Sequence, residues 1–161
     1  MNSHLTNLLD LPGVTVESWN STENSVCFQL SILAKGINCP HCGNYTEELH
    51  QTRPIIVRDL PSSGKDVYLK LPRRQFYCRV CQSYVTERLQ FIDLRRNYTQ
   101  RYEESIFYQV NNSNIEYVSK HQHLDVEKVK NIFNHIAQKR KKQDFAQRNK
   151  EILWQGNRRK I

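Results

Sequence analysis

The sequence predicts an α+β protein: a small β-rich half, then a helical half and a basic C-terminal tail. Three observations carry that prediction. Two cysteine pairs, Cys39-Pro40-His41-Cys42 and Cys78-Arg79-Val80-Cys81, stand 35 residues apart, and apolar and polar residues alternate through the stretches around them. After Arg88 the apolar spacing changes to that of helices. From Lys139 to Ile161, nine Lys or Arg stand against Asp144 and Glu151, a net +7 in a chain whose whole net charge is +8. The expected division is a β-rich domain over 1–90, a helical domain over 91–140, and a tail or linker over 141–161.

Taken in order, Leu5, Leu8 and Leu9 have helical spacing, and Leu11-Pro12-Gly13 ends that segment. Val14 and Val16 then open a strand, and Asn20 to Asn24 supply a turn. The next strand places Val26, Phe28, Leu30 and Ile32 on one face. Between the cysteine pairs, Ile55 to Leu60 and Asp66 to Leu71 read as a hairpin turning at Pro61-Ser62-Ser63-Gly64. Pro72 is expected to end that hairpin before the chain re-enters at Arg73-Arg74-Gln75-Phe76-Tyr77.

Two thiolates three positions apart in a tight turn can meet one ion, and two such turns supply the four soft ligands that tetrahedral zinc prefers. Cys39, Cys42, Cys78 and Cys81 are therefore the expected ligands of one structural zinc. Gly43 follows the first pair, where positive φ lets amides point at sulfur; Gln82 and Ser83 follow the second. A redox pair would need only one Cys-x-x-Cys, opening a helix, and neither pair precedes an apolar helix. Secreted disulfides would need an export signal, and Met1-Asn2-Ser3-His4 opens with neither a basic region nor a long apolar run. Cys27 lies within an alternating strand and reads as a packing residue, while His41 and His50 are not needed once four thiolates complete the shell.

Beyond the second pair, Asp93 to Tyr98 reads as a basic linker. Thr99 can cap a helix with Tyr102, Ile106 and Val110 on one face. Ser113 and Glu116 have capping-box spacing for a short helix carrying Ile115 and Val118, and His121 to Leu124 form a turn. Asp125 caps a third helix with an apolar stripe through Val126, Val129, Ile132, Phe133 and Ile136. Short helix, turn and longer helix outline a helix-turn-helix, the longer one presenting Lys128, Asn131, Asn134, His135 and Gln138 for duplex DNA. Lys139, Arg140, Lys141 and Lys142 in the tail, with Arg73 and Arg74 on the β-rich half, are the expected phosphate contacts.

The ordered pieces Cys39-Pro40-His41-Cys42-Gly43, Arg58-Asp59-Leu60-Pro61, Arg73-Arg74-Gln75-Phe76-Tyr77-Cys78, Cys81 and Thr86-Glu87-Arg88, followed by the helix-turn-helix outline, resemble the N-terminal region of ISL-three family insertion-sequence transposases. That resemblance implies recognition of an element's terminal inverted repeats, with a DDE-type catalytic domain in a region that this sequence does not reach. It also implies a cytoplasmic, nucleoid-associated prokaryotic protein, with double-stranded DNA as partner and a second copy of the chain as a further candidate. No membrane and no small-molecule substrate are expected. Catalysis is not expected either: Asp59, Asp66 and Asp93 suggest capping and ion-pair roles rather than converging metal ligands, and a four-cysteine zinc leaves no open position for water. Two alternatives stand beside this reading. One is a stand-alone regulator or transposition inhibitor that occupies the element's ends. The other is a ribbon that binds RNA or a protein through Tyr68, Phe76, Tyr77 and Tyr84.

Overall fold

The structure is a computed structural model that describes residues 3–158, with side chains described through residue 150. The described residues form two compact units that divide between Tyr102 and Glu103. The first opens with α1 (Ser3–Leu9), followed by β1 (Val14–Ser21) and β2 (Ser25–Ile32). Two short strands, β3 (Ile37–Asn38) and β4 (Tyr45–Thr46), flank the first cysteine pair. The long strands β5 (Leu49–Ser62) and β6 (Lys65–Cys78) lead to the second pair, and β7 (Ser83–Thr86) leaves it.

The sheet runs β1-β2-β6-β5, with β7 added beside β6. The hairpin of β5 and β6 is longer than the sequence suggested, because Pro72 does not end it. Pro72 lies opposite Pro54 within the paired strands. Along its other side, β6 pairs with β2 as far as Lys70 and with β7 only from Gln75, so Pro72 falls where no third strand needs a donor. Two residues make the turn, Ser63 at φ 52° and Gly64 at φ 74°, the paired positive angles of a tight hairpin that matches strand twist. β2 meets β6 in parallel, with Val26 beside Val67 and Phe28 beside Leu69.

Along β6 the apolar positions change face. Val67, Leu69 and Leu71 enter a core with Val14, Val16, Leu30 and Val57. Phe76 and Cys78, of opposite parity, are buried as well, and Cys78 packs with Cys39 and Val85. The segment expected as a basic linker is stitched to β5: the Arg58 N–H donates to Asn97, and the Thr99 N–H to Arg58. Asp59, 1% exposed, accepts from the Thr99 hydroxyl at 2.6 Å and from Arg101 Nε at 2.8 Å, while a second Arg101 nitrogen binds its other oxygen. That hydrogen bonding raises the Arg101 pKa and fixes the guanidinium as a cation. The division between the units accordingly falls within α2 (Gln100–Asn112), later than the 90/91 boundary that the change of spacing suggested.

The second unit holds the rest of α2, then α3 (Ile115–Gln122) and α4 (Val126–Arg158). Ile106, Val118, Val129, Ile132 and Ile136 are fully buried, and Phe107 stacks on Phe133 at 5.0 Å between centroids. The cap of α3 is Asn114 rather than Ser113: its side chain accepts from the Tyr117 N–H at 2.8 Å. His123 ends α3 in the left-handed conformation at φ 51°, its N–H bonded to Ser119. The stretch expected as a tail is helical, because α4 continues through it to Arg158; residues 159–161 lie outside the described residues. Among the described residues no helix is long and apolar enough to cross a membrane.

Candidate metal centre and nucleic-acid interface

Both cysteine pairs sit at the tip of a hairpin. The first tip joins β3 to β4: the Cys39 N–H donates to Asn44, and the Gly43 N–H returns to Cys39, each at 2.8 Å. Gly43 takes φ 76°, as expected of the residue after the second thiol. The second tip joins β6 to β7, and Gln82 takes the matching position at φ 51°. Thr46 Oγ1 donates to the Tyr77 carbonyl at 2.7 Å and the Tyr77 N–H to Glu48 at 2.8 Å, which ties the first tip to the strand bearing the second.

The four sulfurs converge, all lying within 4.8 Å of one another. Cys39 and Cys81 approach to 3.5 Å, as do Cys42 and Cys78. Four thiolates at zinc–sulfur bond length around one ion would be about 3.8 Å apart, so the donor set and its spacing fit a structural zinc. Hydrogen bonds from the Asn44 side chain and backbone hold the Cys42 thiol down to about 6. Burial raises Cys39, but the backbone amides of Cys42 and His41 outweigh it and leave the thiol below its ordinary value. The Ser83 hydroxyl lowers Cys81, yet burial and the other three thiols push it up to about 11. Such crowding of sulfurs is what a cation relieves, and zinc bound here would cross-link the two tips. Cys27 is a half-buried strand residue outside the cluster.

The residues expected at DNA fall into distinct environments. Lys128, Asn131, Asn134 and Gln138 are exposed on α4, and Lys128 Nζ lies 3.0 Å from Asp125. His135 is turned inward, its Nε2 3.7 Å from the fully buried Glu103, so it does not join that outer row. Lys139 is half-buried, and Lys141 and Lys142 are exposed. Arg140, also expected at phosphates, donates to Glu104 at 2.6 Å and the Tyr108 hydroxyl at 2.8 Å, and lies over the rings of Phe107 and Tyr108. Arg74 is engaged within the chain, both ends of its guanidinium binding Glu87, at 2.7 and 2.6 Å, above Phe76. Arg73 is half-buried on the opposite face of β6.

Among the aromatics considered for stacking, Phe76 is core and Tyr68 lies under Arg58, while Tyr84 is 55% exposed. Sequence reasoning passed over Arg53. The signal for it is the register that sets Arg53 opposite Arg73, which becomes readable only once Pro54 is seen to face Pro72.

Two cysteine tips closing on one metal position beside a hairpin sheet define a zinc ribbon. More particularly, residues 35–81 match the family model described as the zinc-finger of transposase IS204/IS1001/IS1096/IS1165. The chain is also 30% identical, over 99 residues, to the transposase for insertion sequence element IS1001 of Bordetella parapertussis; the match covers 62% of this chain and 24% of that protein. Both findings support the resemblance to the N-terminal region of ISL-three family transposases. The chain thus spans about a quarter of the curated relative it matches. No solved structure gives a significant match.

Proposed function

We propose that this chain is the DNA-binding part of a transposase and that it recognises the terminal inverted repeats of an insertion sequence as duplex DNA. The observation that carries the reading is the exposed row Lys128, Asn131, Asn134 and Gln138, on the side of α4 away from the buried Val129, Ile132 and Ile136. In this reading α3 and α4 act as a helix-turn-helix, with Lys128 and Asn131 at base edges and Asn134 and Gln138 nearer the backbone. Lys139, Lys141, Lys142 and Arg73 supply phosphate contacts, and the zinc ribbon gives the β-rich unit a fixed shape. The reading gives this stretch no catalytic step. Its support is that Asp59 is engaged by Thr99 and Arg101, Asp66 by Arg58 at 2.8 Å, and Asp93 by Gln100 at 2.7 Å.

Selection of bound sequences from a random duplex pool tests the reading. A single preferred site is expected, and Asn131→Ala should cost about 1–3 kcal/mol on that site and far less on random duplex. Neutralising Lys139, Lys141 and Lys142 should weaken all duplexes alike and flatten the salt slope by roughly 0.9 for each phosphate no longer neutralised. Equal losses on specific and random duplex from Asn131→Ala would remove α4 from recognition.

A further inference from the structure

One face of the ribbon sheet is partly exposed, with His50, Arg53 and Tyr84 exposed and Arg73 and Tyr77 half-buried. Beyond Leu71, the face of β6 that covers the apolar core continues as Arg73 and Tyr77, flanked by Arg53 on β5 and Tyr84 on β7. His50, at the bulge of β5, brings its ring to 4.4 Å from that of Tyr84, and the Tyr77 ring lies 5.1 Å from Tyr84. The cysteines occupy the opposite face, so these rings take no part in holding metal.

Two features of this face point to a ligand. Arg53 and Arg73 are directly opposed across the strands, where like charges repel. Neither has a carboxylate partner in an ion pair among the described residues, although Gln51, with its amide suitably turned, accepts from Arg53 at 2.8 Å. Beside this uncompensated pair, Tyr84 holds an aromatic ring largely in solvent. Paired cations next to exposed rings on a strand surface match the alternating phosphates and flat bases of an unpaired strand. A duplex keeps its bases stacked and offers such rings no face.

We propose that this face binds single-stranded nucleic acid, His50, Tyr77 and Tyr84 stacking on bases while Arg53 and Arg73 hold the backbone. It is a second contact, which shares Arg73 with the duplex reading and is otherwise separate from recognition by α4. The experiment measures binding of the full zinc-loaded chain to labelled oligodeoxythymidine, oligouridine and a random duplex at matched ionic strength. Binding to the deoxy or the ribo strand is expected, and the stronger of the two identifies the sugar preferred. Tyr84→Ala should weaken single-strand binding roughly 5- to 100-fold, Tyr84→Phe should restore it, and duplex affinity should not change with either. Arg53→Gln with Arg73→Gln should reduce the single-strand salt slope by roughly 1.4. Zinc content is measured throughout, and His50→Ala carries the same expectation should Tyr84→Ala lose metal. Absence of single-strand binding, or single-strand binding untouched by both ring variants, overturns the proposal. Asn131→Ala, which tests the α4 reading, should leave single-strand binding intact, so either reading can fail without the other.

Discussion

The two cysteine tips perform one task with different residues. Each follows its second thiol with a left-handed residue, Gly43 at φ 76° in the first and Gln82 at φ 51° in the second. Glycine adopts that conformation freely, whereas a side chain there costs about 1–2 kcal/mol. The tips also differ in their support. The first hangs between the two-residue strands β3 and β4, while the second ends the fourteen-residue β6 and is continued by β7. The weakly supported tip has the unstrained residue, and the tip backed by a long strand carries the strained one. Chain geometry at a metal site can therefore be enforced by residue choice or by the surrounding sheet.

The comparison can be broken most severely at the sulfurs. Cys39→Ser together with Cys78→Ser takes one ligand from each tip and should abolish stoichiometric zinc and the ribbon fold, removing an apparent contribution on the order of 10–16 kcal/mol. Elemental analysis and near-UV circular dichroism read both effects. Acid should act in the same direction, since metal binding requires deprotonated thiols: zinc is held at neutral pH and lost as pH falls. Gly36→Ala should come next. A Cβ there would lie 2.2 Å from the Thr46 carbonyl oxygen, and pushing the backbone apart beside the weaker tip should cost about 1–3 kcal/mol in denaturant titrations.

Smaller changes sharpen the contrast. A Cβ at Gly43 would meet nothing within 4 Å, so Gly43→Ala isolates the backbone cost and should destabilise by about 1–2 kcal/mol. Gln82→Gly should do the reverse. Relief of strain is partly offset by the freer unfolded chain, leaving a gain of about 0.5 kcal/mol, visible as a slightly higher midpoint of unfolding with unchanged zinc content. A loss from Gln82→Gly would mean that the glutamine side chain has a role of its own at the second tip.

Local patterns were legible in the sequence where local chemistry decides the outcome. The cysteine spacing gave the metal cluster, Thr99 caps α2 by accepting from the Tyr102 N–H at 3.2 Å, and Gly64 marks the hairpin turn. What was not legible depends on partners distant in the chain. The parallel pairing of β2 with β6 has no sequence signature, and Pro72 reads as a strand end until Pro54 is known to face it. The charge of Arg74 and Arg140 is visible in the sequence, whereas Glu87 and Glu104 become their partners only in the folded chain. The residues after Gln138 read as a tail because their charge obscured the scarcity of helix breakers; Gly156 is the sole glycine among 139–158, which contain no proline. Asn114 displaced Ser113 as a cap by one position, within the ordinary uncertainty of helix ends.

The change of face along β6 has a thermodynamic consequence. A single strand forms a wall of the apolar core through Leu69 and Leu71 and of the metal pocket through Cys78, with Phe76 buried on the same face as Cys78. Slipping it by one residue would turn both sets outward together. Neither region can then melt as an independent foldon. A chelator acting only on the sulfurs should accelerate amide exchange at Leu69 and Leu71, well away from the thiols, and the whole β-rich unit should lose its protection as one cooperative block.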